Sequence, residues 1–293
     1  MSQYSSYQSV PRAVSSKRSE RMRVVLSLLH EQKDMTLAGL AAEVGTSAAT
    51  LRRDLAELDE QGLLVRTHGG ARALDARSEI PVRLRNNQYR EAKQLIARRT
   101  VEMIPTGPHA LALSGGTTTA EVARALRNRS ELTIVTNSLT IAMECAARPR
   151  LKVIITGGVV RQSSFEAVGS LSEYTFNAIN VATAVLGTDG ISADGGVTTH
   201  DETEARTNHA MVAKAQRVIV VADGSKVGMV TLAKMADLSE INDLVTDTSA
   251  DPEALALIAA TGIAVHVVDL ASAASPRGHQ GAGEGTGGAP SKQ

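Results

Sequence analysis

Thiols, aromatic rings and surplus charge are all scarce in this 293-residue sequence. A single cysteine, Cys145, excludes an intramolecular disulfide framework and any zinc site built from several thiolates. Trp is absent and only two Phe and four Tyr are present, too few rings for a base-stacking platform that grips single strands. Lys plus Arg and Asp plus Glu both number 31, so no overall basic coat is available for nucleic acid, although a local basic patch stays open. No apolar run approaches the ~18 residues of a membrane span. The first residues (MSQYSSYQSV) lack the apolar stretch of a secretion signal. What remains is the expectation of a soluble, cytoplasmic protein, with about two domains by length.

Both ends are expected to stay mobile, because they carry too little apolar surface to offset ordering entropy. Residues 1–19 contain seven Ser, and residues 271–293 contain six Gly, three Ser and two Pro. Residues 20–75 read as a small helical unit. Met22, Val25, Leu26 and Leu29 form one helical stripe, and a short helix from Leu37 to Val44 turns Leu37, Leu40 and Ala41 inward. Gly45 supplies a sharp break, Ser47 caps a third helix carrying Leu51, Leu55 and Leu58, and Leu63–Arg66 is a short strand before a His68-Gly69-Gly70 turn. Residues 76–92 are a charged linker running into a helix at Glu91–Glu102. From residue 93 to 270 the pattern changes. Short β-branched runs at Ala110–Leu113, Leu132–Thr136, Leu151–Thr156, Thr183–Leu186, Arg217–Ala222, Leu244–Thr246 and Val265–Val268 alternate with helical stretches, as in a parallel α/β domain.

Two short helices, a turn, a third helix and a strand-turn make a winged helix-turn-helix. With Leu51 at the centre of the buried stripe, Ala49 and Arg53 point away from it, flanked by Thr50 and Arg52. A helix entering the major groove needs that arrangement, small residues for close approach and Arg for guanine edges or phosphates. Arg66, His68 and Arg72 add basic groups on the wing. The competing reading makes Arg52 and Arg53 a solvated face paired with Asp54 and Glu57. The capped third helix followed by a basic wing favours double-stranded DNA.

The run Ser47-Ala48-Ala49-Thr50-Leu51-Arg52-Arg53-Asp54-Leu55, followed by Gly62-Leu63 and His68-Gly69-Gly70-Ala71, resembles the DNA-binding signature of the DeoR family of bacterial transcriptional regulators. The resemblance implies a helix-turn-helix over about Leu37–Ala56, with Ser47, Ala49, Thr50, Arg52, Arg53, Arg66, His68, Gly69 and Arg72 at the DNA.

In the second domain the strand ends carry the chemistry, because ligands bind beyond the carboxyl ends of strands in an open α/β sheet. The first strand runs into Ser114-Gly115-Gly116-Thr117-Thr118, whose small residues expose amides at a helix N-terminus suited to an anion. Later ends carry Thr136-Asn137, Gly157-Gly158, Gly187-Thr188-Asp189-Gly190 and Asp223-Gly224-Ser225-Lys226. Five such ends on one side of a sheet read as a pocket for a hydroxylated, phosphorylated small molecule, with Lys226 as a point charge for the phosphate. Neither a Walker A loop nor a G-x-G-x-x-G after a strand is present, so no nucleotide or other cofactor is expected.

The resemblance extends to about residue 270, over the turn Gly116–Thr119, Thr136-Asn137, Gly157-Gly158, Gly187–Gly190, Glu204-Ala205 and Ala222–Lys226. It implies a Rossmann-like α/β sensor domain related to pentose-phosphate isomerases, taking a phosphorylated sugar or polyol. The effector residues would be Ser114, Gly115, Gly116, Thr117, Thr118, Thr136, Asn137, Gly157, Gly158, Asp189, Glu204 and Lys226. Two positions depart from the family pattern: Ser114 stands where an acid is common, and Ala182 where an Asp is usual. The rival class is a sugar-phosphate isomerase fused to a DNA-binding head. Enediol chemistry needs a carboxylate base backed by a second acid, and around Gly187–Gly190 only Asp189 is acidic. No catalytic or metal-binding residues are therefore assigned. The expected protein is a regulator, a repressor of a carbohydrate or polyol operon, working as a homo-oligomer (dimer or tetramer) on operator DNA.

Overall fold

The computed structural model describes residues 16–74, 79–85 and 89–273. Apart from residues 16–19 and 271–273, the ends expected to be mobile lie outside the described residues, as do residues 76–78 and 86–88 of the linker. The first helix starts earlier than expected. α1 (Ser16–Gln32) includes Arg18, which pairs with Asp54, and Ser19, which is buried, so these residues are held by the third helix.

Met22, Val25, Leu26 and Leu29 of α1 are buried with Leu40 of α2 (Leu37–Val44) and Leu51, Leu55 and Leu58 of α3 (Ala48–Glu60). Thr36 caps α2 by accepting from the Gly39 amide, and Gly45 ends it in the left-handed region at φ +66°. A strand with no alternating signal, β1 (Asp34–Thr36), joins β2 (Leu64–Thr67) and β3 (Gly70–Ala73) in an antiparallel sheet of order β1-β3-β2. Helices α2 and α3 with this sheet form a winged helix-turn-helix.

The linker contains ordered structure. One turn, α4 (Val82–Arg85), precedes α5 (Arg90–Met103). Beyond them lie β4 (His109–Leu113), α6 (Thr117–Ala125), β5 (Leu132–Thr136), α7 (Leu139–Ala146) and β6 (Lys152–Ile155). A hairpin of β7 (Val159–Arg161) and β8 (Glu166–Val168) leads to α8 (Ser170–Asn177) and β9 (Val181–Gly187). Then come β10 (Gly190–Ser192), β11 (Gly196–Thr199), α9 (Glu202–Val212), β12 (Ala215–Val221) and β13 (Ala233–Ala236). The last elements are β14 (Asp243–Asp247), α10 (Pro252–Ala260) and β15 (Ala264–Val268).

Seven of these strands make one parallel sheet in the order β15-β14-β12-β9-β4-β5-β6. Successive strand residues point to opposite faces. Leu111, Leu113, Val185, Ile219 and Val221 pack with α5, α6 and α7, while Ala112, Ala184, Leu186, Val218 and Val220 pack with α8 and α9. Burial on both faces explains the nearly continuous apolar runs. From β4 the chain winds outward through β5 to β6, then returns to β9 on the other side of β4 and winds outward to β15. The order therefore reverses between β4 and β9, and the crevice beyond their carboxyl ends is where a doubly wound sheet binds ligands.

Candidate functional site

On the N-terminal unit, Ala49, Arg52 and Arg53 are exposed on α3, and Arg66, His68, Gly69 and Arg72 are exposed on the adjoining wing. Ser47 and Thr50 hold the helix start, the Ser47 hydroxyl accepting from the Thr50 amide at 3.2 Å. The pairing of Arg52 and Arg53 with Asp54 and Glu57 does not occur. Asp54 turns inward to Arg18 and Arg21 of α1, and Glu57 meets Arg18. Two guanidinium groups are thereby left on the outer face of the third helix.

In the second domain a cavity opens at the reversal between β4 and β9. Ser114, Gly115, Gly116, Thr117, Thr118, Asp189, Glu204 and Lys226 all line it. Gly116 caps α6 without a side chain, so no side-chain cap bond satisfies the first amides of that helix. Ser114, the position where an acid is common, has a structural task here. Its hydroxyl accepts from the Gly187 amide at 2.9 Å and ties the ends of β4 and β9 together.

Four expected residues do not line the cavity. The Thr136 hydroxyl donates to the Leu113 carbonyl at 2.7 Å, bracing β5 against β4. Asn137 is fully buried and donates to Asn208 Oδ1 at 3.2 Å, and it is Asn208 that reaches the cavity. Gly157 and Gly158 are exposed at the entry to the β7–β8 hairpin, where a Cβ on Gly158 would lie 2.6 Å from the Val168 carbonyl oxygen. The physical reason is the hairpin itself. Ala167 donates to the Asn137 carbonyl and Leu139 to the Phe165 carbonyl, so β8 crosses the end of β5 and sends Glu166 into the cavity.

The charged lining is richer than the sequence suggests. Arg85 of α4, Tyr89 just before α5 and Lys93 within it enter from the linker side, and Glu166, Thr199, Asn208, Asp223 and Ser225 are further parts of the wall. Burial pushes the Lys93 ammonium down to about 8, against the pull of Asp223, whose carboxylate is 3.8 Å away. Burial opposes ionisation of Asp189, yet Arg85 at 2.7 Å and Lys226 at 3.9 Å hold its pKa below the usual carboxylate range. Burial raises Glu166, which accepts from the Gly115 amide at 2.7 Å, and raises Glu204 further, with Glu166 adding to the effect. Glu204 in turn accepts from the Thr199 hydroxyl and from Arg161, each at 2.7 Å.

Each acid of the cavity is already engaged by partners within its wall. Asp189 is committed to Arg85 and Lys226, Glu166 to the Gly115 amide, and Glu204 to Arg161 and the Thr199 hydroxyl. Cys145 is fully buried among apolar side chains and its thiol is pushed up by burial. Among the described residues no group of three or more His, Cys, Asp or Glu side chains is placed to hold a metal ion, and no helix is long and apolar enough to cross a membrane.

Comparison with known proteins matches both units. Residues 21–77 fit the DeoR-like helix-turn-helix domain and residues 88–248 the DeoR C terminal sensor domain. The HTH-type transcriptional regulator GlpR of Haloferax volcanii is 35% identical over 84% of this chain and 96% of its own. The glycerol-3-phosphate regulon repressor of Escherichia coli K12 is 32% identical over 79% of this chain and 91% of its own. A protein of Escherichia coli O157:H7 named for transcriptional repression of the aga operon is 32% identical over 85% and 94%. Both halves, in this order and over this length, make the chain a member of the DeoR family of DNA-binding transcriptional regulators, not of an enzyme family.

Proposed function

We propose that this chain represses a carbohydrate or polyol catabolic operon from the cytoplasm, and that a phosphorylated sugar or polyol bound between β4 and β9 releases it from double-stranded operator DNA. The observation that carries the reading is the composition of the cavity. Uncapped amides at the start of α6 stand with Arg85, Lys93 and Lys226 around one space, a set that favours a phosphate dianion, while Asp189, Glu204 and Asn208 are partners for hydroxyls. The relatives named as repressors of the glycerol-3-phosphate regulon and of the aga operon fit the same reading. Ser47, Ala49, Thr50, Arg52, Arg53, Arg66, His68, Gly69 and Arg72 are its DNA-contacting set.

A single helix-turn-helix buries little surface, so useful affinity needs two heads on half-sites about one helical turn apart. Met143, Ile155, Val159, Leu171 and Tyr174 are large, exposed apolar side chains around the β6 edge, and a second copy covering them would supply the homo-oligomer.

The test is a thermal-shift and calorimetric screen of triose, pentose and hexose phosphates beside their free alcohols. A compound at 100 times its Kd stabilises by about 2.7 kcal/mol. Phosphate esters should bind and free alcohols should not, and Lys226→Ala should weaken the phosphate esters. Equal binding of the free alcohol, or wild-type binding by Lys226→Ala, removes the phosphate assignment. Interconversion of an aldose and a ketose phosphate faster than by an Asp189→Asn control would restore the enzyme reading.

A further inference from the structure

The cavity and the linker are closed into one ring of side chains. Arg85 donates from Nη1 to Asp189 Oδ1 at 2.7 Å and from Nη2 to Glu79 Oε1 at 2.8 Å. The other Glu79 oxygen accepts from Arg161 at 2.7 Å, and Arg161 donates onward to Glu204 Oε2 at 2.7 Å. The Thr199 hydroxyl closes the ring, 2.7 Å from Glu204 Oε1 and 3.1 Å from Asp189 Oδ2. Four members of the ring, Arg85, Asp189, Thr199 and Glu204, line the cavity.

The helical turn that carries Arg85 is at the same time part of the N-terminal unit. Leu84 is buried in the core formed by α1, α2 and α3, and Ile80 packs against it. Arg83 donates to the side chain of Gln61, the residue that ends α3. Toward the second domain, Val82 donates its amide to the Ser163 carbonyl at 2.7 Å. Neighbouring residues of one turn therefore touch the recognition helix and the wall of the cavity.

A further detail points to an occupant. Arg85 Nε is buried and has no hydrogen-bond partner among the described residues. A buried guanidinium donor without an acceptor is a costly arrangement that an acceptor in the cavity would relieve. Asp189 Oδ1, moreover, is the common anchor of Arg85 and Lys226. An anion entering beside it competes for both cations and repels the carboxylate that holds them.

On the reading that the cavity binds a phosphorylated effector, we infer that Arg85 is the residue through which the occupied cavity acts on the DNA-binding unit. A phosphate oxygen takes the Nε donor and draws the guanidinium from Asp189. The displacement of α4 is then carried by Leu84 into α1 and by Arg83 into the end of α3. Arg85 is thus both an effector-binding group and the positioning residue for the helix-turn-helix.

The experiment measures, for the full chain, operator affinity with and without glycerol 3-phosphate or ribose 5-phosphate, using duplex selected from a random pool by the wild-type protein. Binding of each phosphate ester to each variant is verified by calorimetry, and the quantity read is the ratio of operator Kd values within one variant. Wild type should show a ratio in the ordinary allosteric span of roughly 5- to 150-fold. Arg85→Ala should bind the ester more weakly and, at ester concentrations that calorimetry shows to saturate it, give a ratio within about twofold of unity; Arg85→Lys should give an intermediate one, because a lysine keeps the charge without the fork of donors. A second arm needs no ligand: in hydrogen exchange, Arg85→Ala should lose protection at residues 79–85 and in α1 and α3. A wild-type ratio in an Arg85→Ala protein that binds the ester overturns the inference, as does unchanged exchange in all three segments. If wild type binds neither ester, the cavity reading fails instead, and the exchange arm alone decides on Arg85.

Discussion

Arg21 donates to Oδ2 of Asp54 at 2.5 Å, and with Arg18 on Oδ1 at 3.0 Å it makes the acid of the Arg-Arg-Asp run a core residue, 1% exposed. The three signature residues therefore do different work. Removing one partner of a buried ion pair leaves uncompensated charge and costs about 3–5 kcal/mol. Asp54→Ala should fall near the lower end of that range, because Arg18 and Arg21 keep some access to solvent. Arg53→Ala, on the exposed face, should change stability by less than about 0.5 kcal/mol and cost ~1–3 kcal/mol in operator binding if it reads a base. Thermal unfolding and operator titration of both variants check this. A stable Asp54→Ala protein, or an Arg53→Ala protein with full operator affinity, would contradict the division.

The close approach of Gly115 to Glu166 gives a second prediction. A Cβ on Gly115 would lie 2.4 Å from Glu166 Cδ, so the Glu166 side chain must shift and loosen the bond it accepts from the Gly115 amide. Overpacking of this kind costs about 1–3 kcal/mol. Gly115→Ala should therefore be destabilised, and Glu166→Ala should be destabilised by loss of a buried acceptor. The double variant should be less destabilised than the sum, because truncating Glu166 makes room for the new methyl. Additive losses would show that the two residues do not share the space.

Glu166 also predicts a pH dependence. Burial raises its pKa from an ordinary value of 4.5 in the folded chain. A group raised in this way stabilises fully below the unfolded value, and that contribution is lost as pH rises through the folded one. Stability of the wild type should therefore fall as pH rises above about 4.5, with Glu204 adding to the fall. Glu166→Gln keeps an acceptor for the Gly115 amide and cannot ionise, so its unfolding free energy should decline less over the same interval. Parallel curves for the two proteins would place the titration elsewhere.

The parallel strands are legible in the sequence because both faces of each are covered, which forces long β-branched runs such as Arg217–Ala222. The β7–β8 hairpin and β1 are not legible, since strands of three residues show too few alternations to stand out. The same limit governs the site. Gly115, Gly116 and Asp189 announce themselves at strand ends, whereas Thr136 and Asn137 look alike in sequence and are spent on holding β5 in place. Arg85 and Lys93 were hidden for a different reason. Arg85 in its polar linker and Lys93 in the first turn of a charged helix carry no periodic sign of burial, and Arg85 meets Asp189, 104 positions further along the chain.

Lys93 offers the sharpest test of the cavity. It is 5% exposed, 3.8 Å from Asp223, and its pKa is pushed down to about 8 by burial, with Arg85 and Lys226 adding repulsion. A phosphate dianion bound among these cations stabilises the charged ammonium, so binding should take up a proton when the pH lies near or above 8. Affinity should rise with pH through about 6 as the phosphate reaches its dianion. It should then decline above about 8, where the empty site has lost the Lys93 proton and must regain it to bind. Lys93→Met, which keeps the length and apolar stem of the side chain, should bind more weakly at pH 7 and lose the upper decline. Calorimetry of ribose 5-phosphate binding from pH 5.5 to 9.5 in buffers of different ionisation enthalpy reads both the affinity and the proton uptake. If wild type and Lys93→Met share the same alkaline profile, Lys93 does not face the anion.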